Sequence, residues 1–353
     1  MEDLLVHNFE VQSHSGQYHV EFNNNIMYSD RITELGTHYI IDKSVFPLLN
    51  ERFYSAMNEK NCILITATEE NKSYQGIEPI ITQLIDQGLR RDSHLVAIGG
   101  GITQDITCFI ATTFMRGVNW TFVPTTLLAQ ADSCIGSKSS INFGRYKNIL
   151  GTFTPPNKIV ISNEFLHSLS DGDFRSGVGE IIKLLIVDSQ VPKPESISRE
   201  NIDQYVLQAL LIKKFYIEID EFDKGPRQIL NYGHCIGHGI ESATNFTIPH
   251  GIAITMGMDV ANKFAYLENL ITSDQYNQMH GVLFANYKEF AGVFIDTEKV
   301  CQAMTKDKKN TGSKINLILP VDSTIEKRGF ENTSAFWLKI HTALAQVPIT
   351  TRS

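Results

Sequence analysis

The sequence Leu95-Val-Ala-Ile-Gly-Gly-Gly101 is the strongest indication of the fold, because an apolar run ends in three glycines just before a segment with helical spacing. An earlier apolar run, Cys62-Ile-Leu-Ile-Thr66, precedes helical spacing over residues 77–89, so the three segments predict a β-α-β unit. A helix over residues 106–115 and the apolar run Trp120-Thr-Phe-Val-Pro124 extend the pattern. This order predicts a Rossmann-like parallel sheet covered by helices, with ligands at the carboxyl ends of the strands.

The second half of the chain has a different pattern, because helical spacing replaces the alternation of strands and helices. After the strand Ile159-Val-Ile161 we predict helices at residues 165–169, 178–187, 202–219, 228–243 and 251–267. The sequence therefore predicts an α/β domain at residues 1–166 and a mainly α-helical domain at residues 167–353.

Composition limits the class of protein. The chain has 353 residues, of which 42% are hydrophobic, and its net charge is −8. No apolar run approaches the roughly 20 residues of a membrane helix, and the first residues lack the basic start and apolar block of a signal peptide. We therefore predict a cytoplasmic protein that binds neither membranes nor nucleic acid. The five cysteines are odd in number and widely spaced, which indicates reduced core residues.

A histidine-rich stretch, Asn231-Tyr-Gly-His-Cys-Ile-Gly-His-Gly-Ile-Glu241, is followed by Pro249-His250-Gly251. On a helix His234 and His238 share a face, since they are four residues apart. Two histidines and one carboxylate can hold a divalent ion, and Glu180 is the candidate carboxylate upstream. Histidines at this spacing also occur as ordinary half-buried or surface side chains. No glutamate lies between them in the His-Glu-x-x-His manner, so the spacing does not support a metalloprotease.

Groups that suit a phosphorylated ligand follow several of the predicted strands. The three glycines at residues 99–101 let backbone amides approach a diphosphate, although glycine triplets also occur in ordinary tight turns. Lys138 and Lys147 lie in a predicted loop among glycine, serine and asparagine, which suits a phosphate, although loop lysines are usually only solvated. The other polar groups at strand ends are Glu69, Lys72, Asp105, Thr125 and Thr126.

Taken in order, these motifs resemble those of the sugar phosphate cyclases, and most closely those of the 3-dehydroquinate synthases. The similarity is collinear over about residues 65–310, which a single motif could not achieve. It joins Gly99-Gly-Gly-x-x-x-Asp105, Arg116-Gly117, Pro124-Thr-Thr-Leu-Leu-Ala-Gln-x-Asp-Ser133, Lys138, Lys147-Asn148, Gly179-Glu-Ile-Ile-Lys183, Arg227-x-x-Leu-Asn-x-Gly-His-x-x-Gly-His238, His250-Gly251 and Asp307-Lys-Lys309. The resemblance implies an NAD-binding N-terminal domain, a helical C-terminal domain that holds a zinc or cobalt ion, and a homodimer.

The resemblance also implies residue roles, position by position. Glu180, His234 and His250 match the metal ligands, which leaves His238 as a catalytic or hydrogen-bonding neighbour instead of a ligand. Lys213 and Arg227 match the pair that binds a substrate carboxylate, an anion that a planar guanidinium suits. Arg116, Lys138 and Asn148 match phosphate positions, with Arg116 expected to reach across from the partner subunit, and Asp132, Lys147, Lys183 and Asn231 match positions that contact the substrate hydroxyls. The NAD site is matched by Asp42, Glu69, Lys72, Gly99, Gly100, Gly101, Asp105, Thr125 and Thr126, with Lys138 and Lys147 also within this set.

The implied reaction is a cyclisation without net oxidation. NAD would oxidise a ring hydroxyl while the metal polarises its oxygen, phosphate would be eliminated, the hydride would return, and an aldol step would close the carbocycle. The expected substrate is 3-deoxy-arabino-heptulosonate 7-phosphate, which would give 3-dehydroquinate of the shikimate pathway. Related cyclases act on sedoheptulose 7-phosphate or glucose 6-phosphate, which lack a carboxylate, and the retention of Lys213 and Arg227 favours the acid.

Five departures from the family pattern leave the substrate open. They are Gln104, Cys108, Tyr146, Cys235 and Ile252, the last of which stands where a glutamate usually follows His-Gly. A lost acidic group beside a ligand can change metal affinity. A metal- and NAD-dependent polyol dehydrogenase is the alternative from another reaction class, and a non-catalytic binding subunit is the third.

Overall fold

The computed structural model describes residues 8–24, 26, 29, 32, 34, 36–49, 56–144, 146–193, 196–306 and 314–352. The chain divides into two compact units, Met1–Leu169 with Lys213–Phe222 and Ser170–Ile212 with Asp223–Ser353. The domain division after residue 166 stays a prediction. The motif at residues 307–309 lies outside the described residues.

A seven-stranded sheet forms the centre of the first unit. Its strands are β1 (Phe9–Ser13), β2 (Gly16–Phe22), β3 (Thr37–Asp42), β4 (Cys62–Ile65), β5 (His94–Gly99), β6 (Asn119–Pro124) and β9 (Lys158–Ile161). Their order is β1-β2-β9-β6-β5-β3-β4, and all neighbours are parallel except the antiparallel pair β1–β2. The predicted Rossmann-like parallel sheet is therefore confirmed, with an antiparallel hairpin added at one edge.

Burial explains why these strands form a parallel sheet. All six residues of β5 are buried, as expected of a strand covered on both faces. Helix α1 (Tyr74–Asp86) buries Ile77, Ile80 and Leu84, a helical stripe, and helix α2 (Gly101–Thr113) follows β5 after the glycine turn. Because the central strands run in the same direction, the residues that follow β4, β5 and β6 lie at one edge of the sheet.

The predicted loop between residues 132 and 148 is largely a hairpin, so this part of the sequence interpretation was wrong. Strands β7 (Lys138–Phe143) and β8 (Tyr146–Phe153) pair antiparallel. Ser139 and Ile141 are buried and alternate with more exposed neighbours, which is strand periodicity that the small polar residues conceal. The β1–β2 hairpin and β3 were also absent from the predicted elements.

The second unit is mainly helical, as predicted. Its elements are α3 (Asp171–Val187), α5 (His234–Ala243), α6 (His250–Leu267), α7 (Ser273–Tyr287), α8 (Thr297–Thr305), α9 (Ser334–Gln346), β10 (Phe294–Asp296), β11 (Lys314–Val321), β12 (Thr324–Glu331) and β13 (Thr350–Arg352). Helix α4 (Ile202–Ile219) contributes its residues to both units. No helix among the described residues is both long and apolar enough to cross a bilayer.

Glycines let α6 lie against two other helices at backbone contact. A Cβ atom on Gly251 of α6 would lie 1.8 Å from the carbonyl oxygen of Ser176 in α3, and one on Gly179 of α3 would lie 2.3 Å from the carbonyl oxygen of Gly251. A Cβ on Gly257 would lie 2.6 Å from the amide nitrogen of Gly237 in α5. Only hydrogen fits at these positions, so the glycines bring the start of α6 close to α3 and a later turn of α6 close to α5.

The helix predicted over residues 228–243 is interrupted at Gly233. Residues Pro226–Asn231 form a 3₁₀ turn, and α5 begins only at His234. Gly233 has φ of 77°, a left-handed conformation that favours glycine, and a Cβ there would lie 2.5 Å from Met258 Cγ. The break places His234 in the first turn of α5.

Candidate metal and nucleotide sites

The centre of the candidate metal site is a carboxylate that lies in a helix buried on all sides. Residues 176–187 of α3 are all buried, and the Glu180 side chain has no exposed surface. A buried carboxylate is stable only with charged or hydrogen-bonding partners. One partner lies a turn later, where Lys183 Nζ donates to Glu180 Oε2. The other oxygen, Oε1, faces two histidines.

His234 and His250 are brought to Glu180 because each lies at the start of a helix. His250 Nε2 lies 3.4 Å from Glu180 Oε1, and His234 Nε2 lies 3.9 Å from the same oxygen. One ligand atom from each of the three residues can be chosen so that all lie within 4.8 Å of one another. The three side chains matched to metal ligands therefore meet in the second unit.

Both imidazole rings are held by their other nitrogen. His234 Nδ1 lies 3.2 Å from the carbonyl oxygen of Tyr232, and His250 Nδ1 lies 3.1 Å from Glu241 Oε1. A carbonyl oxygen only accepts hydrogen bonds, as does an ionised carboxylate, so Nδ1 of each ring carries the proton. Burial would lower the pKa of His250, but Glu180 and Glu241 outweigh burial and raise the pKa to about 10.

These residues fit a divalent metal ion. Two ligands of a tetrahedral zinc ion with bonds near 2.05 Å lie about 3.4 Å apart, which is close to the Glu180–His250 and Glu180–His234 separations. Two neutral imidazoles and one carboxylate are a common donor set for Zn²⁺ or Co²⁺, and they leave a coordination position for a substrate oxygen. A cation between these groups would face Glu180 Oε1, while Lys183 pairs with Oε2 of the same carboxylate.

His238 lies beside this cluster but in a different relation to it. Its ring packs edge-on against His234 at 5.3 Å between centroids and stacks on His250 at 5.8 Å. It can form a second group of possible metal ligands with Glu241 and His250, but not one with Glu180. The pair that spacing alone suggested, His234 with His238, is therefore not the set that converges on the buried carboxylate.

The glycine turn of the first unit joins the end of β5 to the start of α2. Gly99 ends β5, Gly100 precedes the helix, and Gly101 begins α2. Thr125 N–H donates to the carbonyl oxygen of Gly99 (2.9 Å), which fixes the turn against the end of β6. A Cβ on Gly101 would meet only Ser133 Oγ, at 3.6 Å, so the first turn of α2 stays open to a ligand.

Lys72 connects the polar residues at the same edge of the sheet. Its ammonium group lies 3.1 Å from Asp105 Oδ2, 3.4 Å from Glu69 Oε1 and 2.8 Å from Asn148 Oδ1. Burial raises the pKa of Asp105, and the charge of Lys72 opposes that rise. Asn142 completes the group, because its Nδ2 donates to Glu69 and its Oδ1 accepts from Asn148 N–H.

A cavity of about 500 Å³ opens near these residues. Its walls include Ile65 and Thr66 at the end of β4, Asn71, and Ile106 of α2. Most of its other wall residues belong to α1, between Gly76 and Gln83, and the glycines at residues 99–101 do not line it.

Asp132 and Lys213, both in the first unit, form an ion pair, and Lys213 Nζ also donates to the Asp132 carbonyl oxygen (2.6 Å). The two residues were expected to bind different parts of the substrate, and the structure places them in direct contact. Gln104 fixes the adjacent Ser133 through two hydrogen bonds, of 2.8 and 2.7 Å. This departure from the family pattern therefore supports the segment that carries Asp132.

The remaining predicted residues occupy a range of environments. Arg227 is buried in the second unit, where Asn231 Nδ2 donates to the Gln228 carbonyl oxygen (3.0 Å). Arg116 is exposed and has φ of 67°, in a turn that follows α2.

Lys138 and Lys147 are exposed on the β7–β8 hairpin, and Asp42 ends β3 and accepts from Ser44 N–H (3.0 Å). Thr126 Oγ1 accepts from Ala129 N–H (3.2 Å).

Sequence reasoning missed Glu241, Asn142 and Gln104 as members of these clusters. Glu241 had a signal, because it is three residues after His238 on the helix of the histidine motif. Asn142 and Gln104 act through partners distant in sequence, Glu69 and Ser133, which no local pattern shows. Ile252 is fully buried in α6, so this departure places an apolar side chain in the core.

Family comparison gives consecutive matches over both halves of the chain. The family models described as 3-dehydroquinate synthase N-terminal and C-terminal match residues 62–176 and 177–310. A 3-dehydroquinate synthase of Alkaliphilus oremlandii is 38% identical over 271 residues, which cover 73% of this chain and 74% of that protein. One of Thermodesulfovibrio yellowstonii is 33% identical over 311 residues, which cover 83% of this chain and 86% of that protein.

Solved structures share the fold at lower sequence identity. A 2-deoxy-scyllo-inosose synthase complexed with carbaglucose-6-phosphate, NAD⁺ and Co²⁺ has a TM-score of 0.82 at 20% identity, covering 95% of this chain and 99% of that chain. ValA, a 2-epi-5-epi-valiolone synthase from Streptomyces hygroscopicus with NAD⁺ and Zn²⁺ bound, has a TM-score of 0.76 at 20% identity and covers 94% and 96%. A glycerol dehydrogenase from Schizosaccharomyces pombe has a TM-score of 0.59 at 15% identity and covers 92% and 88%.

Proposed function

Because the chain belongs to the 3-dehydroquinate synthase family, we propose that it cyclises a phosphorylated sugar acid with release of phosphate, using NAD and a divalent metal ion. The proposed reaction converts 3-deoxy-arabino-heptulosonate 7-phosphate to 3-dehydroquinate, in the cytoplasm. The observation that carries the proposal is the convergence of Glu180, His234 and His250 on one point. Such a donor set suits a reaction in which a substrate hydroxyl must be polarised.

The residues around the metal site have separate tasks in this proposal. A bound divalent ion would polarise the oxygen of a substrate hydroxyl. Lys183 holds one oxygen of Glu180, which leaves the other oxygen directed at the histidines. The Tyr232 carbonyl holds His234 so that its Nε2 is the ligand atom. The proton of the substrate hydroxyl would leave toward solvent or the substrate phosphate, with His238 as the neighbouring imidazole.

The first unit supplies the groups proposed for NAD. The cofactor would accept a hydride from the substrate and return it in the same turnover. The open first turn of α2 would bind the diphosphate, and Glu69 and Asp105 present carboxylate oxygens that suit ribose hydroxyls. Lys72 supports both carboxylates and Asn148 at once. The NAD- and metal-bound cyclase structures with the same fold are consistent with this assignment.

The proposal of an acidic substrate depends on two buried cations. Lys213 and Arg227 are 8% and 7% exposed. Charges removed from water require anionic or polar partners, and a guanidinium binds a carboxylate through two parallel hydrogen bonds. Lys213 already contacts Asp132, so a substrate carboxylate would either displace Asp132 from Lys213 or bind the Lys213 ammonium group beside it. Sedoheptulose 7-phosphate and glucose 6-phosphate would make less use of these cations.

We also propose a homodimer. Phe215, Ile219 and Phe222 of the first unit are 60%, 52% and 40% exposed, which is unusual for large apolar side chains in one short segment. Arg116 is exposed in a turn where Met115, Arg116 and Gly117 all have positive φ. Strained backbone of this kind clusters at functional sites, which supports the proposed contact of Arg116 with a neighbouring subunit's substrate. Sedimentation velocity of the metal-loaded protein tests the dimer.

A phosphate-release assay tests the proposed reaction. The protein, loaded with Co²⁺ or Zn²⁺ and supplied with NAD, would be incubated separately with the heptulosonate 7-phosphate, sedoheptulose 7-phosphate and glucose 6-phosphate. We expect phosphate release from the acid alone, with 3-dehydroquinate identified by mass and NMR. Release from a neutral sugar phosphate alone would preserve the reaction class and overturn the substrate. No release from any of the three would contradict the proposal.

NADH separates this proposal from the polyol dehydrogenase alternative, whose fold the glycerol dehydrogenase shares. A dehydrogenase accumulates NADH in proportion to the polyol consumed. A cyclase releases phosphate while absorbance at the NADH band returns to its starting value. Steady NADH accumulation with glycerol and no phosphate release would therefore favour the dehydrogenase.

A further inference from the structure

Glu241 contacts the side of His250 that does not face the buried carboxylate. Its Oε1 lies 3.1 Å from His250 Nδ1, while His250 Nε2 lies 3.4 Å from Glu180 Oε1. The two ring nitrogens point away from each other, so the imidazole stands between the two carboxylates. A group bonded at Nδ1 cannot share the ion bound at Nε2 of the same ring. In this arrangement Glu241 is a partner of a ligand and not a ligand itself.

The setting of Glu241 makes this contact strong. Glu241 belongs to the buried face of α5, and its side chain is only 12% exposed. A hydrogen bond with an ionised acceptor is about twice as strong as a neutral one, and low exposure reduces competition from water. The imidazole of His250 is 35% exposed, so its surroundings enclose it only in part. Glu241 therefore limits the rotation that would move Nε2 away from Glu180.

The two histidine ligands differ in how they are held. His234 is held by a backbone carbonyl, which no substitution of a side chain removes. His250 is held by a side chain from a different helix, since Glu241 lies in α5 and His250 begins α6. Ile252, two residues after His250, is apolar and fully buried, so it offers no acceptor to the ring. On its Nδ1 side, His250 is thus held by one carboxylate, that of Glu241.

We propose that Glu241 is a positioning residue of the metal centre, which fixes the tautomer and rotation of His250 so that Nε2 binds the ion. This inference rests on the proposed metal-dependent function. It assigns Glu241 a role toward the ion through His250, with no contact to the substrate. Partners of this kind typically change metal affinity 10–100-fold when they are removed.

Metal binding to three variants tests the inference. We expect Glu241→Ala, which removes the acceptor, to weaken Co²⁺ and Zn²⁺ binding about 30-fold or more in competition with a chelator. Glu241→Gln keeps an acceptor oxygen and loses the charge, so we expect a smaller loss, about tenfold. Glu268→Gln is the matched control, because Glu268 follows the end of α6 and pairs with Lys339 on the surface (2.5 Å). Its affinity should stay within twofold of the wild-type value.

The visible spectrum of bound Co²⁺ supplies a readout that general destabilisation would not move. We expect the d–d bands of the Glu241→Ala complex to shift, because a His250 that rotates or coordinates through Nδ1 alters the ligand field. Glu268→Gln should leave the bands unchanged. Thermal unfolding of each variant without metal separates loss of folding from loss of affinity.

Direct observation of the wild-type protein keeps the test decisive even if the variants unfold. In the zinc-loaded protein, ¹⁵N–¹H spectra of the imidazole side chains should show His250 protonated at Nδ1 and bound through Nε2. The opposite tautomer would overturn the inference, as would wild-type affinity and spectrum in both Glu241 variants. Failure of the wild-type protein to bind metal would overturn the proposed function as well. Normal wild-type turnover with unaltered variants would remove only the role of Glu241.

Discussion

Replacement of Gly251 by alanine should disrupt the metal site without changing any ligand. Gly251 follows His250 directly, and its Cα faces the backbone of α3, the helix that carries Glu180. A Cβ atom at this position would lie 1.8 Å from the Ser176 carbonyl oxygen. Ordinary contact begins at 3.4 Å, so the two backbones must separate by about 1.6 Å. Neither partner is the flexible end of a side chain, and local adjustment cannot absorb the change.

The separation has two measurable consequences. Metal–ligand distances tolerate only about 0.2 Å, so a shift of this size at the residue next to His250 should weaken metal binding at least 100-fold, or about 2.7 kcal/mol. Overpacking typically costs 1–3 kcal/mol, and a backbone clash belongs at the upper end. The hydrogen bond from Gly251 N–H to Ser176 Oγ (2.9 Å) is lost as well. At 2–4 °C per kcal/mol, we expect a Tm about 6–12 °C lower for Gly251→Ala.

Gly172→Ala in α3 is the control for this experiment. A Cβ on Gly172 would lie 3.6 Å from Phe290 Cζ, an ordinary contact, and alanine favours a helix by about 0.5–1 kcal/mol over glycine. Its Tm should equal or exceed the wild-type value, and its metal affinity should not change. Calorimetry of the apo proteins and chelator competition with Zn²⁺ give the two quantities. If Gly251→Ala binds Zn²⁺ within threefold of wild type at an unchanged Tm, the argument from helix contact is wrong.

Three further perturbations follow from the same structure. Lys72→Met should lower NAD affinity at least tenfold and the free energy of unfolding by about 2 kcal/mol. This loss is smaller than for a fully buried ion pair, because Asp105 is 22% exposed. Lys214→Met is the control: it removes a partly exposed ion pair and should change neither quantity by much. Chelation of a metal present at 100 times its Kd should remove about 2.7 kcal/mol of stability, seen as a lower Tm. The hydrogen bond that His280 Nδ1 donates to Asp259 Oδ2 raises the pKa of His280 above its ordinary 6.5, so its stabilisation is complete below pH 6.5 and is lost as pH rises through the raised value. The Tm difference between wild type and His280→Gln should therefore be largest below pH 6.5 and shrink as the pH rises above 6.5, and a difference independent of pH would contradict this.

Local patterns predicted the parallel sheet because its strands are apolar runs bounded by turns. Leu95–Ile98 and Trp120–Pro124 lie within β5 and β6, and residues 202–219 form a helix with the predicted bounds. The β7–β8 hairpin escaped prediction because Ser139 and Ser140 give little contrast in hydrophobicity between its two faces. The single helix over residues 228–243 failed at Gly233, whose left-handed conformation depends on packing against Met258 and Ile254 in α6. Contacts of that kind are distant in sequence.

Some candidate site residues could likewise be predicted from local sequence patterns, and others depend on contacts between residues distant in sequence. The histidine spacing pointed to the correct segment, but it favoured His238, which shares a helical face with His234, over His250 from the next helix. Glu180 was a candidate from the sequence pattern, the resemblance chose His250 in place of His238, and the structure brings Glu180, His234 and His250 together. Glu241 was hidden because its task depends on which nitrogen of His250 faces Glu180, a geometrical fact that only coordinates contain.

The glycines beside Glu180 and His250 acquire a physical explanation from these contacts. Gly179 and Gly251 lie next to Glu180 and His250 in sequence, and each would clash with the other's helix if it carried a side chain. The two helices therefore touch at the residues next to the metal ligands. The separation of the helices sets the distance between Glu180 and His250. Ligand chemistry alone would allow alanine at these positions, whereas helix contact forbids it. A motif that joins each ligand to a glycine therefore specifies both the donor atoms and their separation.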